Sequence, residues 1–232
     1  MLHSIGTVTR LGELTTAMLV GVLLTTESSA PPETAATATE TAMAVAIVDS
    51  FAVALPDGEP MTALDSLEAE RELAPAAMRR PLETYLARFS DDRVLVRRIS
   101  RAVLREAGRQ QVPPSLITAV LLTENTTLRP EAASSVGAQG LMQVIPFHAG
   151  ARLCNSDDLV DVDSNICHGT LILARNLRAT PTSTAALLRY NGCVRGTNTP
   201  NCNRYPAIVL ARASRVRHEI LAAAMPVQLA QR

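Results

Sequence analysis

A glutamate that closes an apolar helix is the first residue of this sequence whose position indicates chemistry. Pro113 and Pro114 favour a helix start, and apolar side chains recur after them at helical spacing. Glu124 lies four residues after Val120 and eight after Leu116, so it projects from the apolar face near the helix end. Burial there would raise the pKa of its carboxyl group and keep it protonated, as a general acid requires. The alternative is a helix-end glutamate that reaches solvent or pairs with an arginine.

A run of short motifs follows Glu124 along the chain. The pattern Ser-x-x-Gly-Ala-x-Gly-Leu-Met-Gln-x-x-Pro begins at Ser134 and ends at Pro146. The further motif residues, in chain order, are Asn165, Ile166, Gly169, Tyr190, Asn191 and Tyr205. This order resembles the soluble lytic transglycosylase family of lysozyme-like, peptidoglycan-cleaving enzymes. The resemblance covers residues 94–216, slightly over half of the chain.

The resemblance implies a fold and an activity. The fold is mainly α-helical, a lysozyme-like catalytic domain with a substrate groove. Glu124 would protonate the glycosidic oxygen between N-acetylmuramic acid and N-acetylglucosamine, and Tyr190 would orient its carboxyl group. The 2-acetamido group would assist at the anomeric carbon, and the glutamate carboxylate would then remove the C6 hydroxyl proton. The product is a 1,6-anhydromuramyl end, and neither a metal nor an organic cofactor is required.

The same resemblance implies a set of residues that bind the glycan. Met142 would offer an apolar surface to a sugar and Gln143 would hydrogen-bond to an acetamido or lactyl group; the alternatives are a core methionine and a loop brace. Gly140 would let the backbone approach the glycan or serve turn geometry alone. Ser134 would bond to Glu124 or the ligand, or cap the turn. The predicted substrate-binding residues are Asn125, Ser134, Gly140, Met142, Gln143, Asn191 and Tyr205.

The sequence departs from the family pattern directly after the glutamate. Asn125 stands where the family usually has serine, although a small polar side chain there can still hydrogen-bond to substrate. The segment between Glu124 and Pro130 is one residue longer than the commonest pattern, and Leu128 replaces its usual aromatic residue. The shape of the neighbouring sugar subsite is therefore left open.

Four cysteines lie in the last third of the chain, and their even number favours disulfides in an exported protein. Pairing Cys154 with Cys167, and Cys193 with Cys202, would close two short loops. The alternative is a zinc site with His168 as an additional ligand. Neither cysteine spacing is the close pair typical of structural zinc, so we predict the two disulfides and a surface position for His168.

Two other functions are compatible with the motifs. An aspartate across the cleft from Glu124 would favour a hydrolytic lysozyme-like muramidase. Four acids precede the helix predicted at residues 165–177, and we interpret them as structural because the helix macrodipole favours negative charge there. These acids are Asp157, Asp158, Asp161 and Asp163. The third candidate is a non-catalytic peptidoglycan-binding scaffold of an envelope assembly, against which the intact Glu124 and Tyr190 speak.

Composition excludes some classes of protein. The 232 residues are 47% hydrophobic and 19% charged, which is ordinary for a globular protein. The 22 acidic residues balance the 22 basic ones, so the positive excess of a nucleic-acid-binding protein is missing. We therefore expect no nucleic-acid partner. The family resemblance implies peptidoglycan strands as the partner, and we expect a monomer.

The chain divides into three predicted parts. Residues 1–30 have the outline of a signal peptide or N-terminal anchor, which predicts export to the periplasm or cell envelope and offers an apolar segment for membrane association. Residues 31–80 are rich in Ala, Thr, Pro and Glu without a sustained period, which predicts a linker or poorly ordered segment. Residues 81–232 would form the lysozyme-like domain, so a chain that starts near Pro81 should fold by itself.

Overall fold

The computed structural model describes residues 53–54, 60–150, 153–193 and 202–229, and within them the protein is mainly α-helical, as predicted. Two short antiparallel strands, β1 (Val53–Ala54) and β2 (Pro60–Met61), precede the helices. The helices are α1 (Ala63–Glu72), α2 (Pro75–Leu86), α3 (Arg93–Gln110), α4 (Pro114–Glu124), α5 (Val162–Ala179), α6 (Ser183–Tyr190) and α7 (Tyr205–Leu229). None of the helices in these ranges is long and apolar enough to cross a membrane. The segment predicted to be a signal or anchor, residues 1–30, lies outside the described residues.

Helix α4 is the centre of the fold. Its side chains are buried without interruption from Pro114 to Leu122, as expected of a helix that is apolar on all sides. Helix α7 packs along α4 and also contacts α1, α2 and α6, while α3 packs against α2, α4 and α5. Because α4 is enclosed in this way, its last residue, Glu124, lies at one end of the core.

Acidic side chains cap the starts of two helices, and the start of α5 differs from the predicted one. Helix α3 is capped by Asp92, whose Oδ1 accepts from the backbone N–H groups of Val94 and Leu95. The Ser90 hydroxyl accepts a hydrogen bond from the Asp92 backbone N–H just before this helix. Helix α5 begins at Val162 rather than at residue 165, because the Asp161 side chain caps it. The acids at this start are structural: Asp161 also pairs with Arg98.

The linker predicted for residues 31–80 is wrong for residues 63–80. This stretch forms α1 and the first half of α2, and the Leu73 and Met78 side chains enter the core. The sequence lacked a sustained apolar stripe here because α1 is held largely by polar contacts. Thr62 and Asp65 form a capping box at its start, and Glu70 near its end is 1% exposed.

Glu70 joins three helices through a buried hydrogen-bond network. Its Oε1 accepts from the Ser115 backbone N–H at 2.7 Å, and its Oε2 accepts from the Ser115 hydroxyl at 2.7 Å. Arg217 of α7 donates from Nε to the same Oε2 at 3.0 Å. A carboxylate at the N-terminal turn of α4 satisfies a free backbone N–H and complements the helix dipole. Glu70 therefore fixes the beginning of the helix that ends in Glu124.

The two predicted disulfides are confirmed. Cys154 and Cys167 have a Cα–Cα distance of 5.8 Å, and Cys193 and Cys202 one of 5.7 Å, both within the usual range. The zinc alternative is therefore excluded for these cysteines. The surface position predicted for His168 is wrong: its ring is 1% exposed, with Nε2 at 2.9 Å from the Ser156 carbonyl oxygen. The reason is that the segment before α5 packs against His168, as its contact with Ser156 shows.

Replacing Glu70 by Ala should destabilise the protein by about 3 to 5 kcal/mol, because it leaves the charge of Arg217 uncompensated in a largely buried position. Chemical denaturation of the purified variant measures this loss. The matched control is Glu72→Ala in the same helix, where the side chain is exposed and the change should stay within about 0.5 kcal/mol. A chain starting at Pro81 lacks all of α1 and the core side chains of Leu73 and Met78 as well as Glu70, so it should lose more stability than Glu70→Ala. Equal stability of the two alanine variants would contradict the role given to Glu70.

Candidate active site

Glu124 is the last residue of α4, and its carboxyl group is held by a tyrosine from α7. The Tyr205 hydroxyl donates to Glu124 Oε1 at 2.5 Å. Burial raises the pKa of the Glu124 carboxyl group above its usual value of 4.5, and the hydrogen bond from Tyr205 lowers it in part. Since the larger of the two effects is burial, the arrangement favours the protonated acid. Of the helix-end alternative, the arginine partner is absent among the described residues, and the Glu124 side chain is only partly exposed to solvent.

Tyr205 is fixed by its position in the chain. It is the first residue of α7 and follows a 3₁₀ turn, Cys202–Arg204, whose first residue is tied to Cys193 by a disulfide. Burial raises the pKa of the Tyr205 hydroxyl, and the neighbouring charge of Glu124 raises it further. The hydroxyl therefore keeps its proton over the whole physiological pH range and remains a donor to the carboxyl group.

Tyr190 does not make the hydrogen bond to Glu124 that the family resemblance implied. Its hydroxyl donates to the backbone carbonyl oxygen of Met142 at 2.9 Å. Burial raises the pKa of the Tyr190 hydroxyl, and the nearby charge of Glu124 raises it further. The predicted contact belongs to Tyr205 instead, since α7 rather than α6 crosses the end of α4 closely. Motif order alone gave no signal that distinguishes the two tyrosines.

The Gly-Leu-Met-Gln loop packs against α5 rather than facing outward. Gly140 has φ +76°, and a Cβ at this position would overlap the Asn165 amide and the Leu159 carbonyl oxygen. The Met142 side chain is 0% exposed and lies against Gly169 of α5. These positions correct the predicted sugar contacts of Gly140 and Met142: both residues serve the packing of loop on helix.

Asn165 joins this loop to α5. Its Oδ1 accepts from the Met142 backbone N–H at 2.7 Å, and its Nδ2 donates to the carbonyl oxygens of Gln139 and Leu159 at 2.9 Å. The side chain thus satisfies three backbone groups that the loop leaves without secondary-structure partners. The role of Asn165 is therefore structural: it holds the loop against α5.

Gln143 and Ser134 brace the turns on either side of the motif. Gln143 has φ +48°, and its Nε2 donates to the Gly140 carbonyl oxygen at 2.9 Å. The Ser134 hydroxyl accepts from the Ala138 backbone N–H at 3.0 Å, which is the turn-capping role. Neither residue bonds to Glu124. A glycan contact by Gln143 stays a prediction.

Asn125 is buried and supports the loop that follows α4. Its Nδ2 donates to the Arg129 carbonyl oxygen at 2.7 Å and to that of Gly140 at 3.3 Å, and its Oδ1 accepts from the Arg129 backbone N–H at 3.1 Å. Leu128, which replaces the usual aromatic residue, has φ +52° and is buried in the core. The substrate contact predicted for Asn125 is therefore corrected to a structural one. Asn191 is partly exposed at the end of α6, and its side chain bonds to no other described residue, so its glycan contact stays a prediction.

Two functional features were not found from the sequence. One is Glu70, 54 residues before Glu124 and within a stretch without periodicity. The other is Arg212, whose Nη1 donates to the Thr123 hydroxyl oxygen at 2.8 Å beside Glu124. A signal for Arg212 was present, because it follows Tyr205 by seven residues and therefore shares its face of a helix.

Comparison with known proteins agrees with this geometry. Residues 101–205 match the family model described as "Transglycosylase SLT domain". This region is therefore similar to transglycosylase SLT domains. A curated relative named "Transglycosylase", from Enterobacteria phage PRD1, is 35% identical over 95 residues, which are 41% of this chain and 34% of the relative. The chain thus matches about a third of the length of that relative.

Replacing Glu124 by Gln should stabilise the protein, increasingly so at higher pH. The unfolded chain loses the Glu124 proton near the usual pKa of 4.5, whereas the folded protein keeps it to a higher pH. Wild-type stability therefore falls as pH rises from about 4.5 to the raised pKa, and the Gln variant lacks this fall. Free energies of unfolding measured from pH 4 to 8 test it. Parallel curves for the two proteins would contradict a raised pKa.

Proposed function

We propose that this protein is an exported lytic transglycosylase that cleaves the β-1,4 bond between N-acetylmuramic acid and N-acetylglucosamine and leaves 1,6-anhydromuramyl ends. The observation that carries the proposal is the Glu124 carboxyl group, which is partly buried, has a raised pKa and accepts a hydrogen bond from Tyr205. The SLT domain match and the relative named as a transglycosylase support it.

Glu124 would act twice, first as an acid and then as a base. In the first step its proton goes to the glycosidic oxygen, the bond from that oxygen to the anomeric carbon breaks, and the 2-acetamido oxygen of the muramic acid bonds to that carbon. In the second step the Glu124 carboxylate takes the C6 hydroxyl proton, and the C6 oxygen displaces the acetamido oxygen. Glu124 ends protonated, as it began, and no water is consumed.

Tyr205 fits both halves of this cycle. Its hydroxyl donates to Oε1, so the other carboxyl oxygen of Glu124 is left to carry the transferable proton. After transfer, the same hydrogen bond stabilises the carboxylate, because charge-assisted hydrogen bonds are stronger than neutral ones. A group that must be acid and base in turn needs its pKa raised by burial yet limited by such a donor.

A single acid also suits a substrate that supplies its own nucleophile. Glycosidases that use water as the nucleophile employ a second carboxylate across the bond. Of the acids around the start of α5, Asp161 caps the helix and pairs with Arg98, and Asp163 in its first turn pairs with Arg98 and Arg105. These side chains are committed to the α3–α5 contact, which favours the transglycosylase over the muramidase alternative.

The two disulfides support export, since disulfides persist in oxidising compartments such as the periplasm. Peptidoglycan strands are the proposed substrate, and the cell envelope is the compartment in which they are found. Membrane association through the apolar N-terminal segment and the monomeric state are parts of the same proposal.

The activity is tested by mass spectrometry of the fragments released from purified peptidoglycan. The wild-type protein should release anhydromuropeptides, and Glu124→Gln should lower the rate by at least about 10² to 10⁴, because it keeps the shape but removes the transferable proton. Fragments with reducing muramic acid ends would favour the muramidase. Binding without any release would favour the scaffold.

The tyrosines provide an internal comparison for the acid. Tyr205→Phe should lower the rate more than Tyr190→Phe, because only Tyr205 touches the Glu124 carboxyl group. The chain's third tyrosine, Tyr85 of α2, is buried and bonds to neither residue, so Tyr85→Phe is the matched control with an unchanged rate. A larger effect of Tyr190→Phe than of Tyr205→Phe would contradict this assignment.

The pH dependence of the rate should move in the Tyr205→Phe variant. The hydrogen bond from Tyr205 lowers the pKa of Glu124, so its removal raises that pKa further. Since the first step needs the protonated acid, the fall of kcat/KM at high pH should shift to higher pH in the variant. Rate profiles of both proteins against soluble peptidoglycan fragments measure this shift, and a shift to lower pH would contradict it.

A further inference from the structure

The last turn of α4 is joined to α7 at two adjacent residues. Tyr205 and Arg212 are seven residues apart on α7, which places them two turns apart on one helix face. Tyr205 donates to Glu124 Oε1, and Arg212 donates from Nη1 to the Thr123 hydroxyl oxygen at 2.8 Å. Thr123 and Glu124 are consecutive residues. The turn that carries the acid is thus held from one side by two side chains of a single helix.

The hydrogen bond from Arg212 begins a chain of two hydrogen bonds that ends at the Ala119 carbonyl oxygen. The Thr123 hydroxyl donates its proton to the Ala119 carbonyl oxygen at 2.7 Å, so its oxygen is free to accept from Arg212. Both bonds together fix the χ1 rotamer of Thr123 and tie the guanidinium group to the backbone of α4. The C-terminal end of a helix has few bonds of its own to hold it, so such a link constrains where Glu124 points.

Arg212 forms no ion pair with a carboxylate in the part of the chain that the structure describes, although its side chain is partly buried. Arg217 on the same helix, by contrast, pairs with Glu70. The guanidinium group lies at the C-terminal turn of α4, where the helix dipole favours a cation. Its positive charge also lowers the pKa of the Tyr205 hydroxyl, which burial raises.

We propose that Arg212 is a positioning residue for Glu124: through the Thr123 hydroxyl it holds the last turn of α4 so that the carboxyl group stays in place beside Tyr205. Arg212 lies outside residues 101–205, the part that matches the SLT family. The inference rests on the proposed function, because it assigns a role in the reaction of Glu124.

A double-mutant cycle tests the proposal with Thr123→Val, Arg212→Met and the two combined. Each single variant should lower kcat about 10-fold and leave KM unchanged, because small displacements of a reacting group reduce the rate without loss of substrate contacts. The combined variant should be no slower than either single one, since both remove the same hydrogen bond. Arg212→Lys keeps a cationic donor and should recover most of the lost kcat.

Two measurements separate positioning from general stabilisation. Tm of the Thr123→Val variant should stay close to that of the wild type, because valine keeps the shape of threonine. Arg215→Met, at an exposed position one turn further along α7, is the matched control and should retain wild-type kcat. Soluble peptidoglycan fragments of defined length serve as the substrate, with release of anhydromuropeptides as the readout.

The possible outcomes distinguish a failure of the role proposed for Arg212 from a failure of the proposed transglycosylase function. Wild-type kcat in Thr123→Val or Arg212→Met, or a combined variant whose loss is the product of the two single losses, would overturn the role of Arg212 and leave the proposed function intact. Failure of Arg212→Lys to recover kcat would overturn it as well. If the wild-type protein released no anhydromuropeptides, the proposed function would fail and this inference with it.

Discussion

A carboxyl group buried at the C-terminal end of a helix is unfavourable as an anion for two reasons. Burial removes its hydration, and the negative end of the helix dipole repels its charge. Glu124 occupies this position. The hydrogen bond from the Tyr205 hydroxyl stabilises its carboxyl group in either protonation state. The other features of the site follow from the need to hold this pair together. The end of α4 and the start of α7 meet at this pair.

Helix α4 is fixed at both ends by residues that lie outside the SLT match. Glu70 of α1 bonds to Ser115 at its beginning and to Arg217 of α7, and Arg212 of α7 bonds to Thr123 at its end. Helix α7 therefore takes part in both contacts. The matched domain supplies the acid and the loop, and the flanking helices α1 and α7 supply the frame in which the acid is held.

Much of this could be predicted from the sequence, and the limits have physical causes. Apolar spacing and the proline pair correctly gave the bounds of α4, and with them the partly buried position of Glu124 at its end. Loop length gave both disulfides. The motif identified Met142 but not its direction, since an apolar side chain fits a core and a sugar face equally well. Helix α1 was missed because a buried carboxylate with three hydrogen-bond donors, rather than an apolar stripe, anchors it. The choice between Tyr190 and Tyr205 depends on which helix crosses α4, which is a property of the tertiary structure.

The central claim is that Glu124 is a partly buried acid which stays protonated above its usual pKa because of its environment. An NMR titration of the side-chain carboxyl carbons, with the Glu124 signal assigned by its loss in Glu124→Gln, measures this directly. The account predicts that this carbon titrates at a pH clearly above 4.5, the usual value for glutamate. A Glu124 signal that titrates at or below 4.5 in the folded protein would contradict it.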